Sequence, residues 1–315
     1  MIPFSWLEQG YERILPYIRK TPLTYDPQHN LYLKWENQQV TGSFKARGAF
    51  NKILSLQEWE LKLGLVTASA GNHGQGVALA GRMRHAQVTV FASDHAVPEK
   101  IQSMRNLGAE VCLVPGGYGE AEQAGISFAK SNGAIWISPY NDGTIIAGQG
   151  SVGLEVVQEL PERAAYTWLV PAGGGGLVCG IGAVLEAIRP QHRLIAVQSE
   201  ASPFLHAIYH QGSQEGVVEQ PSLADGLAGP VETGSLTIPM VQDCVDDFIL
   251  VSEDEIRQAM GFAWQHYQER IEGSAAVSLA AALAGKITDR PAVIVLTGGN
   301  VNQADFNQIV AGKKP

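Results

Sequence analysis

Trp168-Leu169-Val170-Pro171-Ala172-Gly173-Gly174-Gly175-Gly176-Leu177 joins an apolar run to four glycines and then to a helical pattern over 177–188. Strand, glycine turn and helix in that order form the unit of an open α/β sheet, whose ligands sit beyond the carboxyl ends of the strands. Four consecutive glycines carry a heavy backbone-entropy cost, so the turn needs a reason. Amides wrapped around an anion at a helix N-terminus supply one. The turn lacks a Gly-Lys-Ser/Thr ending and is not a Walker loop. No basic residue lies between Arg163 and Arg189, which leaves amides and the helix dipole to hold the anion. That suits one phosphate monoester better than a triphosphate.

The same alternation extends outward from this unit. Upstream, the periodicity predicts a helix over 5–20, a strand over 31–36 and a helical stretch over 44–62. Short strands at 65–69, 87–92, 110–114 and 134–138 then alternate with helices at 75–84, 98–107, 120–131 and 149–160. Gly108 stands where a helix stop expects it. Downstream, strands at 193–198, 247–251 and 292–296 alternate with helices near 202–210, 253–269 and 274–286. Parallel pairing through right-handed crossovers follows, and continuous apolar strands imply sheets covered on both faces. The stretch 211–245 is the least patterned and reads as a long ordered loop with short elements, or a lid. A small domain is expected over 66–144, inserted between the parts of a larger one, 1–65 and 145–315.

A chain of 315 residues with 45% hydrophobic content can bury a large core. A net charge of −9 disfavours nucleic acid or an anionic membrane as partner. No apolar run approaches the roughly 20 residues that span a bilayer, and the N-terminus lacks a signal-peptide pattern. Three scattered cysteines, Cys112, Cys179 and Cys244, exclude a disulfide framework and argue against a cysteine zinc site. A cytoplasmic protein is expected.

Other turns carry candidate chemistry. Thr41-Gly-Ser-Phe-Lys45-Ala-Arg-Gly48 places a lysine at a strand-to-helix turn among small residues, a setting suited to Schiff-base formation. A snorkelling surface lysine is the plain alternative. Ser69-Ala70-Gly71-Asn72-His73-Gly74 offers amides, a hydroxyl and a directional amide side chain, or simply a capped turn. His73 gets no acid–base role. Gly148-Gln-Gly150-Ser-Val-Gly153 spells G-x-G-x-x-G but is separated from the preceding strand by a loop, and reads as a tight helix start. Leu296-Thr297-Gly-Gly-Asn300 puts a neutral hydroxyl at a sheet edge. An imine-forming lysine, an amide, a phosphate nest and a neutral hydroxyl together are the parts for holding pyridoxal 5′-phosphate.

These residues also resemble a family. Lys34-Trp-Glu-Asn, Thr41 to Lys45, Ser69 to Gly74, Gly173 to Gly176, Ala224-Asp-Gly, Glu272-Gly-Ser-Ala and Thr297-Gly-Gly-Asn are similar, in order, to the serine/threonine dehydratase (ammonia-lyase) and serine racemase group. That group consists of fold-type II pyridoxal-phosphate enzymes, tryptophan synthase β-like. The resemblance implies two open, twisted, mostly parallel sheets flanked by helices. It implies that Lys45 carries the cofactor and acts as base at the substrate Cα, with Phe44 beside the ring and Asn72 on the 3′-oxygen. Gly173, Gly174, Gly175, Gly176 and Leu177 would bind the phosphate, and Thr297 would face the pyridine nitrogen. Ser69, Ala70, Gly71, Asn72, His73 and Glu272 would line the substrate.

The chain departs from the family's pattern in three places. Ala70 stands where racemases carry a serine that protonates the opposite face, so elimination is expected over racemisation. Gln198 and Phe204 replace carboxylates of the family's divalent-cation site, so no metal is expected there. Gly273 and Ala275 replace the proline and glycine of the usual Glu-Pro-Ser-Gly, which leaves substrate identity open. The expected reaction is β-elimination of a β-hydroxy amino acid, threonine or serine, to a 2-oxo acid and ammonia. Racemisation and β-replacement or threonine-synthase chemistry are the alternatives. A homodimer is expected. The length leaves no room for a C-terminal regulatory domain, so isoleucine inhibition is not expected.

Overall fold

The computed structural model describes residues 1–162, 165–289 and 291–311. The first half runs α1 (Phe4–Ile14), β1 (Leu23–Asp26), β2 (Leu31–Trp35), α2 (Lys45–Ser55), α3 (Glu58–Leu61), β3 (Leu65–Ala68), α4 (Asn72–Met83), β4 (Val88–Ser93), α5 (Pro98–Asn106), β5 (Glu110–Val114), α6 (Tyr118–Asn132), β6 (Ile135–Trp136) and α7 (Gly143–Glu159). The second runs β7 (Thr167–Pro171), α8 (Gly176–Ile188), β8 (Arg193–Ser199), α9 (Phe204–Gln211), α10 (Thr237–Cys244), β9 (Asp247–Val251), α11 (Glu253–Tyr267), α12 (Gly273–Leu283), β10 (Ala292–Leu296) and α13 (Gln303–Val310).

Two sheets result, a six-stranded one ordered β1-β2-β10-β7-β8-β9 and a four-stranded one ordered β5-β4-β3-β6. Every pairing is parallel except β1 with β2. In the large sheet, Trp168 and Val170 face a core shared with α7 and α8, whereas Leu169 faces one shared with α11 and α12. Burial on both faces is why these strands read as unbroken apolar runs. The small sheet packs one face against α2, α4 and α5 and the other against α6. Thus α2 shares the core of the small sheet, while the residues just before it, Ser43 and Phe44, pair with Gly298 and Thr297 just past β10 in the large one.

Several elements differ from the sequence reading. The first helix stops at Ile14, two residues before Pro16, rather than at 20. The stretch 44–62 divides into α2 and α3, broken at Leu56. Strand β1 and α13 fall where the sequence reading places no element, and α10 is one of the short elements expected within 211–245.

The largest difference is α7, which starts at Gly143 rather than 149. Asp142 caps it, accepting from the amides of Thr144 and Ile145 at 2.7 and 3.0 Å. Gly148, Gly150 and Gly153 therefore lie inside the helix, not at its start. A Cβ on Gly148 would stand 2.7 Å from the Cα of Gly48, and one on Gly150 would stand 2.8 Å from the carbonyl of Gly180. These glycines let α2, α7 and α8 cross at close range. Among the described residues, no helix is long and apolar enough to cross a membrane.

Candidate active site

The turn carrying Lys45 and the turn after β10 are bonded side by side. Phe44 donates its amide to the Thr297 carbonyl and Gly299 to that of Gly42, each at 3.0 Å, while Asn300 Nδ2 donates to the Thr41 carbonyl at 2.8 Å. Lys45 opens α2 and turns its Nζ inward to the Pro139 carbonyl at 3.1 Å, over the ring of Phe44. Burial of the amine lowers its pKa to about 8. Roughly a tenth is therefore neutral and nucleophilic at pH 7, far more than for a free lysine.

Across the cleft, α4 begins at Asn72 with no side chain capping it. The amides of Asn72 and His73 have no partner inside the helix and point their partial charge outward. Ser69 Oγ already accepts from the Gly71 amide at 3.0 Å, so that amide is the least available of those expected to meet a carboxylate. Ala70 is exposed on the same loop. His73 is buried, with Nε2 3.2 Å from the Ile137 carbonyl. Burial and the charge of Lys45 depress its pKa to about 3, which keeps it neutral.

Asn72 is fixed from two sides. Its Nδ2 donates to Glu272 Oε1 at 2.6 Å, and its Oδ1 accepts from Asn300 Nδ2 at 2.7 Å. The amide thereby keeps one N–H for a ligand. Burial raises the Glu272 carboxyl to about 7, with nearby Asp225 adding to the rise and Lys100 opposing it. A cavity of about 410 Å³ opens beside this chain, lined by Lys100 and Ser103 on one side and by Asp225, Arg270, Glu272 and Asn300 on the other.

The glycine turn packs against Tyr140, the residue after Pro139. Gly175 adopts φ +88° and α8 starts at Gly176 without a side-chain cap, so the amides up to Leu177 form an open nest. Packing gives these glycines a second reason. A Cβ on Gly174 would lie 2.4 Å from the Tyr140 ring, and one on Gly173 would lie 3.1 Å from the Leu227 backbone. Thr237 Oγ1 ties the Gly174 carbonyl at 2.7 Å.

Buried polar atoms without a protein partner gather at this cleft: Glu272 Oε2, Thr41 Oγ1, Ser43 Oγ and His73 Nδ1. A site built this way awaits a polar ligand. A desolvated amine for an aldehyde, an amide donor for an oxygen, a nest for a phosphate and the buried Thr297 fit pyridoxal phosphate.

The structure joins the Lys45 turn to Thr297 and Asn72 to Glu272, and sets the glycine turn against Tyr140, next to the Pro139 whose carbonyl holds Lys45. Gln198, at the replaced cation position, is buried and accepts from the His206 amide through Oε1 at 3.1 Å. Sequence reasoning missed Asn300, Tyr140, Lys100 and Asp225 as parts of the site. Asn300 and Asp225 lay inside quoted motifs. Tyr140 and Lys100 gave no local signal, because distant chain segments make their contacts.

Fold and site together suit an α/β enzyme that holds an aldehyde cofactor. The family described as pyridoxal-phosphate dependent enzyme matches residues 12–298. L-threonine ammonia-lyase of Thermotoga maritima is 37% identical over 98% of this chain and 78% of its own. The processed threonine deaminase isoform 2 of Solanum lycopersicum superposes with a TM-score of 0.88 at 29% identity, over 98% of this chain and 88% of that one. Serine racemase of Dictyostelium discoideum superposes at 0.85 with 32% identity, over 96% and 99%. The chain belongs to the pyridoxal-phosphate dependent enzymes, in their fold-type II branch.

Proposed function

We propose that this enzyme eliminates water from a β-hydroxy amino acid, threonine foremost, to give a 2-oxo acid and ammonia. The observation that carries the reading is the desolvated amine at Lys45; the family resemblance puts Ala70, which has no acidic group, at the position that would protonate the opposite face. The likeness to threonine ammonia-lyase supports the substrate.

Lys45 would hold the cofactor's aldehyde, Asn72 its 3′-oxygen, Gly173 to Leu177 its phosphate and Thr297 its ring nitrogen, with Phe44 at its side. When bound, the cofactor supplies an electron sink for the pair left at the substrate Cα. Ser69 and the amides of Asn72 and His73 would orient the substrate carboxylate. Lys45, displaced by the substrate amine, takes the Cα proton on Nζ, and its lowered pKa matches it to that work near neutral pH. Loss of the β-hydroxyl as water leaves a 2-aminoalkenoate, which water converts to the 2-oxo acid and ammonia. Facing the ring nitrogen, Thr297 would be a neutral partner that leaves the ring unprotonated, which would favour prompt loss of a leaving group.

Lys45→Ala should abolish 2-oxobutanoate formation from L-threonine, and retained turnover would sink the proposal. A racemase is the second reading, favoured by the Dictyostelium likeness. Ala70 weighs against it, since protonation of the far face lacks a donor. Chiral chromatography of recovered substrate separates the two.

Two domains, 1–65 with 145–315 and 66–144, are part of the same proposal, supported by the two sheets. So are a cytoplasmic location and a homodimer, the latter testable by sedimentation.

A further inference from the structure

Behind Lys45 lies a group of charged side chains that the reaction does not use. Arg47, Glu36, Glu155 and Lys34 are all fully buried. Arg47 binds Glu36 through Nε and Nη2 at 2.7 and 2.8 Å, and Glu155 through Nη1 and Nη2, both at 2.8 Å. Nη1 also donates to Ser151 Oγ at 3.1 Å. Lys34 closes the ring, donating to Glu155 at 2.6 Å and to the Thr21 carbonyl at 2.7 Å. Burial alone would raise the Glu36 carboxyl, yet Arg47 and Lys34 hold it below the usual range.

Such a network is weak as a source of stability. Removing four charged groups from water costs about as much as their attraction returns, and apolar packing of the same volume often does as well. What it does supply is geometry. The planar guanidinium forks onto two carboxylates and fixes both direction and rotation.

We propose that Arg47 is a positioning residue for Lys45. Two residues apart in the first turn of α2, they point to opposite sides of the helix, Lys45 into the cleft and Arg47 into the network. Lys34 and Glu36 come from β2 and the turn after it, and Ser151 and Glu155 from α7. The network therefore pins α2 to the strand before it and the helix behind it, and sets its rotation. A rotation of roughly 10° moves an atom about 8 Å from the helix axis by about 1.4 Å. Misplacement by about 1 Å costs on the order of a hundredfold in rate.

The inference rests on Lys45 as the cofactor-bearing residue, and the test separates the two. Apoprotein is mixed with pyridoxal phosphate and quenched with borohydride, and the mass fixed at Lys45 is followed in time. Arg47→Lys keeps the charge and loses the fork; Glu36→Gln keeps the shape and loses one charge. Phe306→Leu, on α13 where it packs against Trp264 of α11, serves as a comparator of similar thermal destabilisation. Both network variants should fix cofactor at least tenfold more slowly and lose at least tenfold in kcat, with KM within twofold. The comparator should match the unaltered enzyme in both. Normal fixation rate and kcat in the network variants would overturn the proposal, as would an equal loss in Phe306→Leu. Failure of both variants to fold would assign the network to stability and overturn it too. If the unaltered enzyme fixes no cofactor at Lys45, the reading of Lys45 itself fails.

Discussion

At Lys45 the governing fact is an amine moved from its ordinary basicity to about 8 by burial. In apoprotein its reaction with an amine-directed label should rise about tenfold per pH unit up to about 8 and then level, whereas exposed lysines go on rising to about 10. Peptide mapping across that range checks it. The residue type and its glycine-rich turn were legible in the sequence. Its lowered pKa was not, because burial comes from chain segments almost a hundred residues away, such as Pro139. Glu272 is similar: its place in a motif was legible, its acidity was not. The native carboxyl keeps its proton to about 7 while the unfolded one ionises near 4.5, so stability falls as pH rises through that window. The loss is on the order of 3 kcal/mol. Buried His73 changes stability the other way up to about pH 6.5, so the loss is read against Glu272→Gln: the stability of the unaltered apoprotein relative to that variant, from urea midpoints, should fall between pH 5 and pH 8.

Among the elements, long periodic helices and apolar strands were readable because burial imposes a period on their side chains. Short or edge elements were not. Leu23-Thr-Tyr-Asp of β1 is too brief to show alternation, and α10 sits in a proline- and glycine-spaced stretch. The glycines of α7 misled for a physical reason: in sequence, a glycine that turns the chain and one that lets two helices touch look alike. Structure separates them. A Cβ on Gly180 would lie 2.5 Å from the Ile146 carbonyl, backbone that cannot move aside cheaply. Gly180→Ala should therefore cost about 1–3 kcal/mol in urea unfolding. The labelling profile of Lys45 should stay as it is.

For the whole molecule, α2 packs on α1 and α7 to join the two layers, and polar links bridge the cleft between them, among them Asn72 with Glu272 and the Lys100–Asp225 ion pair. The Asp225 side chain is 47% exposed, so its pair with Lys100 contributes about 1 kcal/mol or less. Asp225→Asn should speed amide exchange in α5 severalfold and leave α12 unchanged, as read by mass spectrometry. The overall α/β class was legible in the order of elements; which strands neighbour one another was not, because crossovers leave no local trace. One neighbour relation has a consequence for biosynthesis. Strand β10 is inserted between β2 and β7. The ribosome thus delivers Lys45 long before Thr297, the residue bonded to its turn. At about 5–20 residues per second, roughly tens of seconds separate the two. The smaller sheet, complete once β6 emerges, can form during that interval, while the larger one keeps a gap between β2 and β7. Closure of the Lys45 turn against Thr297 is then a late event of maturation, timed by the arrival of the last strand.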